Sequence, residues 1–293
     1  MPGSMLEIYR PDRQFKVDVH DEEYLDLGGS GGKLLARVYQ PDGEGPFPLL
    51  VDVHGGAWNG GSRTSNKHID TELATSGIVV VALDFRVAPS HRYPCQVTDV
   101  NYAVRWLKTQ SGRFKALNTM VGLLGTSSGG HTVMLTAMKP NDRTYSEIGL
   151  ASNLNTDASV AYIIAMWSVL DPWARYEYAR QTQQERLVNN TEAYFGDVET
   201  MKKGNPQYLL DSGERLQLPP TLIIQGTADL NIPMTIPERF FESYRKRGGD
   251  ITLETFPGMP HSFANSPGPE ADRAIQISKK FIERQVAPTG IKN

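Results

Sequence analysis

Thr119-Met-Val-Gly-Leu-Leu-Gly-Thr-Ser-Ser-Gly-Gly-His-Thr-Val-Met-Leu-Thr-Ala-Met138 joins an apolar run to a helix-like stretch through the pentapeptide Gly125-Thr-Ser-Ser-Gly129. Small residues beside a serine let the backbone turn sharply enough to hold its hydroxyl out, so a Gly-x-Ser-x-Gly between strand and helix presents Ser127 as a candidate nucleophile. In a chain with 27 glycines this pentapeptide also arises by chance, so its meaning depends on the partners around it.

Upstream, Val51-Asp-Val-His-Gly-Gly-Ala-Trp58 carries a β-branched strand straight into a His-Gly-Gly-x-Trp loop. Its glycines leave the N–H groups of Gly55 and Gly56 free to form an oxyanion hole with the N–H of Ser128, the residue after the nucleophile. Downstream, Thr221-Leu-Ile-Ile-Gln225 reads as a short buried strand followed at once by Gly226-Thr-Ala-Asp229, and a strand from Ile251 to Phe256 runs into Pro257-Gly-Met-Pro-His261. A serine hydroxyl is a weak nucleophile until a base removes its proton; His261 is the candidate base and Asp229 the candidate acid that orients it. Asp211 and Glu238 are the alternative acids. The order oxyanion loop, Ser127, Asp229, His261 is that of an α/β-hydrolase, and of neither the chymotrypsin nor the subtilisin arrangement. His54 reads as a brace for the glycine loop, Trp58 as a packing anchor and His131 as a satisfied polar group near the site.

Strand-like runs at Lys33 to Tyr39, Pro48 to Val53, Ile78 to Asp84, Met120 to Leu124, Ala158 to Met166, Thr221 to Gln225 and Ile251 to Phe256 alternate with helical patterns. One such helix is Val97-x-x-Val100-x-x-Ala103-Val104-x-x-Leu107, whose spacing makes one apolar face. Near-continuous apolar strands separated by helices predict an α/β fold, a mostly parallel central sheet with helices on both faces. Every motif above lies at the carboxyl end of a strand, where such sheets build their sites. Ser168 to Leu216 departs from the alternation: its 49 residues far exceed the roughly 2 to 6 of an ordinary connection. Helix-compatible stretches at 174–187 and 191–201 predict an inserted helical lid over 168–216 within a single domain spanning 1–293. Fourteen of its residues are charged, so most of it is expected to face water, with a few of its six aromatics lining the substrate entrance.

The net charge of −3 offers no basic footprint for nucleic acid and no polybasic patch for a membrane surface. No stretch approaches the roughly 20 apolar residues of a membrane span, and Met1 to Arg10 lacks the apolar core of a signal peptide. The single cysteine, Cys95, forms no intrachain disulfide and suits a reducing, cytoplasmic compartment. His20, His68 and His91 lack metal-ligand spacing, and neither a metal nor a cofactor is expected.

Together these motifs resemble the hormone-sensitive-lipase-like esterases of the α/β-hydrolase superfamily, over about residues 33 to 285. Asp84-Phe-Arg-Val-Ala-Pro89, followed by Tyr93-Pro94 and Asp99, is similar to the Asp-Tyr-Arg-Leu-Ala-Pro run of that family, which implies structural roles for Asp84 and Arg86. The resemblance implies a serine carboxylesterase acting on a small ester through Ser127, Asp229 and His261, with oxyanion donors Gly55, Gly56 and Ser128, and it admits a homodimer. Three departures stand out. Ala57 replaces a third glycine, which resembles the His-Gly-Gly-x-Trp of kynurenine formamidases and of feruloyl and acetyl esterases. Thr126 and Ser128 stand where Asp and Ala are common, and Ser262 where Gly is usual. The alternatives these leave are an amidase or arylformamidase, and a hydrolase-fold receptor that binds without turnover.

Overall fold

The structure is a computed structural model that describes residues 9–29, 32–150 and 155–287. Most of Met1 to Arg10 therefore lies outside the described residues. Eight strands form one sheet: β1 (Val17–Asp26), β2 (Lys33–Pro41), β3 (Phe47–Val53), β4 (Val79–Leu83), β5 (Ala116–Thr126), β6 (Tyr162–Met166), β7 (Thr221–Gly226) and β8 (Ile251–Phe256). They lie in the order β1-β2-β4-β3-β5-β6-β7-β8. β2 pairs antiparallel with both β1 and β4, and every pairing from β4 to β8 is parallel.

Successive side chains on a strand point to opposite faces, and here both faces are buried. Leu49, Val51 and Val53 of β3 join one hydrophobic cluster while Leu50 joins the other; Val79 and Val81 of β4 are divided in the same way from Val80 and Ala82. The first cluster is closed by α2 (Cys95–Gln110), α3 (Ser128–Met138) and α8 (Thr235–Lys246), through residues such as Val97, Val104, Val133, Ile236 and Phe240. The second is closed by α1 (Lys67–Thr75) and α9 (Pro269–Val286), through Ile69, Leu73, Ala274, Phe281 and Ile282.

One strand escapes the apolar pattern. β1, Val17-Asp-Val-His-Asp-Glu-Glu-Tyr-Leu-Asp26, carries five acids and a histidine because it is an edge strand that water reaches. Charge there also discourages pairing with a further strand. Its Asp21 accepts from both Arg37 and Arg63, so its carboxyl is held well below the usual range by those two guanidinium groups.

The segment 168–216 holds four helices, α4 (Pro172–Gln181), α5 (Glu185–Phe195), α6 (Val198–Lys203) and α7 (Pro206–Ser212), where two were expected, over 174–187 and 191–201. Local chemistry sets the breaks. Gln183 at φ 55° and Gly196 at φ 80° end the first two helices. The side chains of Asp171, Asp197 and Asn205 accept from the backbone N–H groups of Ala174, Thr200 and Tyr208 and so begin α4, α6 and α7.

Two carboxyls lie inside the sheet–helix layer. Asp52 of β3 accepts from Asn66 Nδ2 at 2.9 and 3.1 Å, whereas both oxygens of Asp70 in α1 lack a hydrogen-bond partner among the described residues. Burial, and then the neighbouring Asp52 charge, push the Asp70 carboxyl well above its ordinary value. The folded chain thus keeps a proton there that the unfolded chain releases, so this group costs stability as pH rises above the ordinary carboxylate range. Asp70→Asn removes the penalty, and calorimetric melting should show a stabilisation at pH 8 larger than at pH 4.5, by up to about 1.4 kcal/mol for each pH unit over which the proton is retained.

Candidate active site

At the end of β5 the chain passes through Ser127 at φ 53° and ψ −120° and enters α3 on the next residue. A left-handed serine is strained, and its surroundings hold it there. Ser127 N donates to Met166 O at 3.0 Å, and its carbonyl accepts from Gly130 N at 3.1 Å and Val169 N at 3.0 Å. Glycine is required on either side: a Cβ on Gly125 would stand 2.7 Å from Gly129 O, and one on Gly129 would stand 2.0 Å from Val53 O.

Ser127, Asp229 and His261, separated by up to 134 residues in sequence, meet beyond the carboxyl ends of β5, β7 and β8. Ser127 Oγ lies 3.0 Å from His261 Nε2, and His261 Nδ1 lies 2.8 Å from Asp229 Oδ2. The geometry implies Nδ1–H donating to Asp229, which leaves Nε2 to accept the serine proton. Asp229 is fully engaged. Its Oδ1 accepts from the N–H groups of Asn231 and Ile232 at 2.8 and 2.9 Å, and Oδ2 also accepts from Gln225 Nε2 at 3.0 Å. Burial alone would raise this carboxyl, but His261 and the two backbone donors outweigh it and hold it below its ordinary value. Asp211, an alternative acid, instead pairs with Arg239 and accepts from Gln207.

The glycine loop departs from expectation at one donor. Gly55 N donates to Thr126 Oγ1 at 3.0 Å, so it is not free to receive an oxyanion. The N–H groups of Gly56 and of Ala57, which takes φ 50°, have no protein acceptor among the described residues and flank the cavity at Ser127. Ser128 N lies in the first turn of α3, where helix N–H groups lack an intrahelical partner. The loop is clamped from the elbow by the two residues unusual for the resembled family. Thr126 Oγ1 holds Gly55, and Ser128 Oγ accepts from Trp58 N at 3.1 Å. Thr126 is held in turn by Asn66, which also donates to Asp52.

His54, Trp58 and His131 are buried behind the loop. His54 Nδ1 donates to Gly55 O at 2.6 Å while its ring stacks on Phe85, and burial lowers its basicity. Trp58 Nε1 donates to His131 Nδ1 at 3.1 Å, and His131 Nε2 donates to Gly204 O at 2.6 Å. Burial depresses the His131 imidazole to about 4, so it is neutral at physiological pH. Asp84 and Arg86 serve the framework: Asp84 accepts from Arg63 N and Nη1, and Arg86 forks onto Asp99.

The cavity over Ser127 and His261 measures about 260 Å³. From the 168–216 segment it receives Arg175 and Arg186, not the aromatics expected at an entrance. Tyr194 and Phe195 point inward instead, Tyr194 stacking on Trp58 with centroids 5.2 Å apart and planes 2° from parallel. A larger depression of about 710 Å³ lies at the opposite end of β5, beside Lys108, Asn118 and Thr119, remote from the serine–histidine pair. Residues that motif reading overlooked are Gln225, Asn66, Arg175 and Arg186. Only Gln225, four positions before Asp229 at the end of a buried strand, had a signal within a motif.

The mostly parallel eight-stranded sheet, with its strand–serine–helix elbow and its site beyond the strand ends, defines an α/β-hydrolase fold. The chain belongs to the BD-FAE family, whose model matches residues 37–243. Among curated proteins it is similar to the esterase LipC of Mycobacterium tuberculosis, 29% identical over 227 residues that cover 74% of this chain and 53% of LipC. It is also similar to the gibberellin receptor GID1B of Arabidopsis thaliana, 37% identical over 166 residues covering 47% and 45% of the two chains. The chain thus spans about half the length of these curated relatives. A hyperthermophilic esterase from Pyrobaculum calidifontis superposes with a TM-score of 0.74 at 25% identity, covering 91% of this chain and 85% of its own.

Thr126→Val keeps the volume but deprives Gly55 N of its acceptor. Steady-state hydrolysis of a short-chain ester should show kcat lower by roughly ten- to a hundredfold, since small misplacements of catalytic groups cost that much. An unchanged kcat would mean that the loop holds its shape without the clamp.

Proposed function

We propose that the protein is a serine carboxylesterase for small to medium esters, working through an acyl-enzyme on Ser127. The observation that carries this reading is the unbroken hydrogen-bond relay from Ser127 Oγ through His261 to Asp229, at 3.0 and 2.8 Å. In this mechanism His261 Nε2 takes the serine proton as Oγ attacks the ester carbonyl. The oxyanion that forms is met by the N–H groups of Gly56 and Ser128, with Ala57 taking the place first assigned to Gly55. The imidazolium then protonates the departing alcohol. Water, deprotonated by His261, attacks the acyl-serine and releases the carboxylic acid and free enzyme. Asp229 stays ionised throughout, in keeping with a carboxyl held below its ordinary value, and stabilises the imidazolium.

The cavity of about 260 Å³ favours short substituents on the reacting carbonyl. No helix among the described residues is long and apolar enough to cross a membrane. The single free cysteine supports a reducing compartment, and we place the enzyme in the cytoplasm on that ground. The resemblance admits a homodimer, which light scattering checks.

Two other readings have specific support. The His54-Gly-Gly-Ala-Trp58 loop favours an arylformamidase, since the same relay cleaves activated amides. The likeness to GID1B favours a ligand receptor, which the intact relay opposes. The test is a panel of p-nitrophenyl acetate, butyrate and octanoate alongside N-formylkynurenine. Short esters should turn over, and a kcat/KM for the formamide several orders of magnitude higher would replace esterase with formamidase. Ser127→Ala should lower kcat by roughly 10^4-fold or more with the fold intact. If Asp229→Asn retained wild-type activity, the assigned acid would be wrong.

A further inference from the structure

Arg175 is 1% exposed, yet its Nε and Nη1 have no hydrogen-bond partner among the described residues. A buried guanidinium is costly unless its donors are met, because desolvation removes hydration that only an acceptor can replace. Among the described residues the compensating contact is the Trp58 ring, 5.1 Å from its central carbon, and a ring face satisfies no in-plane N–H. No carboxylate among the described residues pairs with it: Asp171, four residues earlier, is taken by Asn205 and by the start of α4.

Arg175 lines the cavity over Ser127, and so does Arg186, an exposed residue that likewise forms no ion pair among the described residues. The walls of that cavity include asparagines but no aspartate or glutamate. In a chain of net charge −3, the reaction chamber is therefore locally cationic. Burial, and then the like charge of Arg186, lower the Arg175 guanidinium only to about 10, so it stays charged at neutral pH.

The helices that carry the two arginines are tied to the loop that faces Ser127. Ala179 of α4 and Leu187 of α5 pack on Ala57, and Asn59 Nδ2 donates to Asn190 O, which ties both helices to the oxyanion loop. The backbone positions of both arginines are thus set relative to the cavity, with the Arg175 side chain buried in its wall and that of Arg186 exposed beside it.

We propose that Arg175 and Arg186 form a carboxylate subsite, so that the preferred ester carries an anionic group in its acyl or its alcohol half. This rests on the esterase reading and deepens it: a carboxylate at the cavity wall would give the Arg175 guanidinium the charge-assisted acceptor that it lacks among the described residues.

The test compares kcat/KM for two anionic esters and their neutral amide isosteres. Ethyl hydrogen succinate against ethyl 4-amino-4-oxobutanoate puts the charge on the acyl side; 4-acetoxybenzoate against 4-acetoxybenzamide puts it on the alcohol side. At least one pair should favour the anion by about tenfold or more, the scale of a charge-assisted hydrogen bond. Arg186→Gln, on the exposed side of the subsite, should bring that ratio close to one, and Arg186→Lys should restore part of it. Arg175→Gln should abolish it, provided circular dichroism shows a folded chain. Equal rates within both pairs, or a ratio unchanged in Arg186→Gln and in folded Arg175→Gln, would overturn the subsite while leaving ester hydrolysis standing. Calorimetric binding of ethyl hydrogen succinate to Ser127→Ala keeps the two readings separate. Arginine-dependent binding of the anion with no ester turned over by the wild type would retain the subsite and sink the esterase. Absence of such binding would overturn the subsite.

Discussion

Between β3 and the start of α3 there is no room for a side chain. The Cα of Gly129 sits so close to the carbonyl of Val53 that the nucleophile elbow and the oxyanion loop meet backbone on backbone. This approach is possible because β3 and β5 are adjacent parallel strands, in register from Leu49 with Val121 to Val53 with Gly125. Both strands end at the same level, and each releases its chain into the same space. The left-handed conformation of Ser127 is affordable only in that setting, where its neighbours' hydrogen bonds and the glycines beside it leave no easier path.

From this contact the rest of the site follows outward. Thr126 and Ser128, on either side of the serine, direct their hydroxyls to Gly55 N and Trp58 N, so the peptide that positions the nucleophile also shapes the loop opposite it. Behind them, Trp58 and His131 bind the elbow helix to Gly204, and Tyr194 stacks on Trp58. The helices of 168–216 are thereby anchored in the interior by Tyr194 and Phe195, while Arg175 and Arg186 line the chamber. Trp58 thus joins the loop and the chamber wall, its N–H held by Ser128 Oγ and its ring 5.1 Å from the Arg175 guanidinium.

The sequence disclosed most of this where one residue type answers to one local requirement. Buried parallel strands must be apolar on both faces, so β3, β4 and β7 were legible as runs; elbow, loop and strand ends were legible through glycine and the order Ser127, Asp229, His261. β1 was hidden because an exposed edge strand takes charge in place of apolar residues. The extent of the inserted helices was blurred because caps such as Asp197 and Asn205 interrupt a pattern that periodicity alone reads as continuous. Gly55 was expected to donate to an oxyanion, and no local signal could reveal that Thr126, 71 residues away, accepts its N–H. The same holds for Arg175: a buried, unpaired guanidinium is a property of packing, and in sequence it is one charged residue among fourteen in its segment.

The central claim, that Ser127 becomes acylated by its substrate, is tested most directly by covalent capture. Wild-type protein is treated with a fluorophosphonate, digested and mapped by tandem mass spectrometry, with Ser127→Ala as the control. Acylation at Ser127 requires one stoichiometric adduct on Ser127 in the wild type and none in the variant; labelling of a different residue, or labelling that persists in Ser127→Ala, would rule it out.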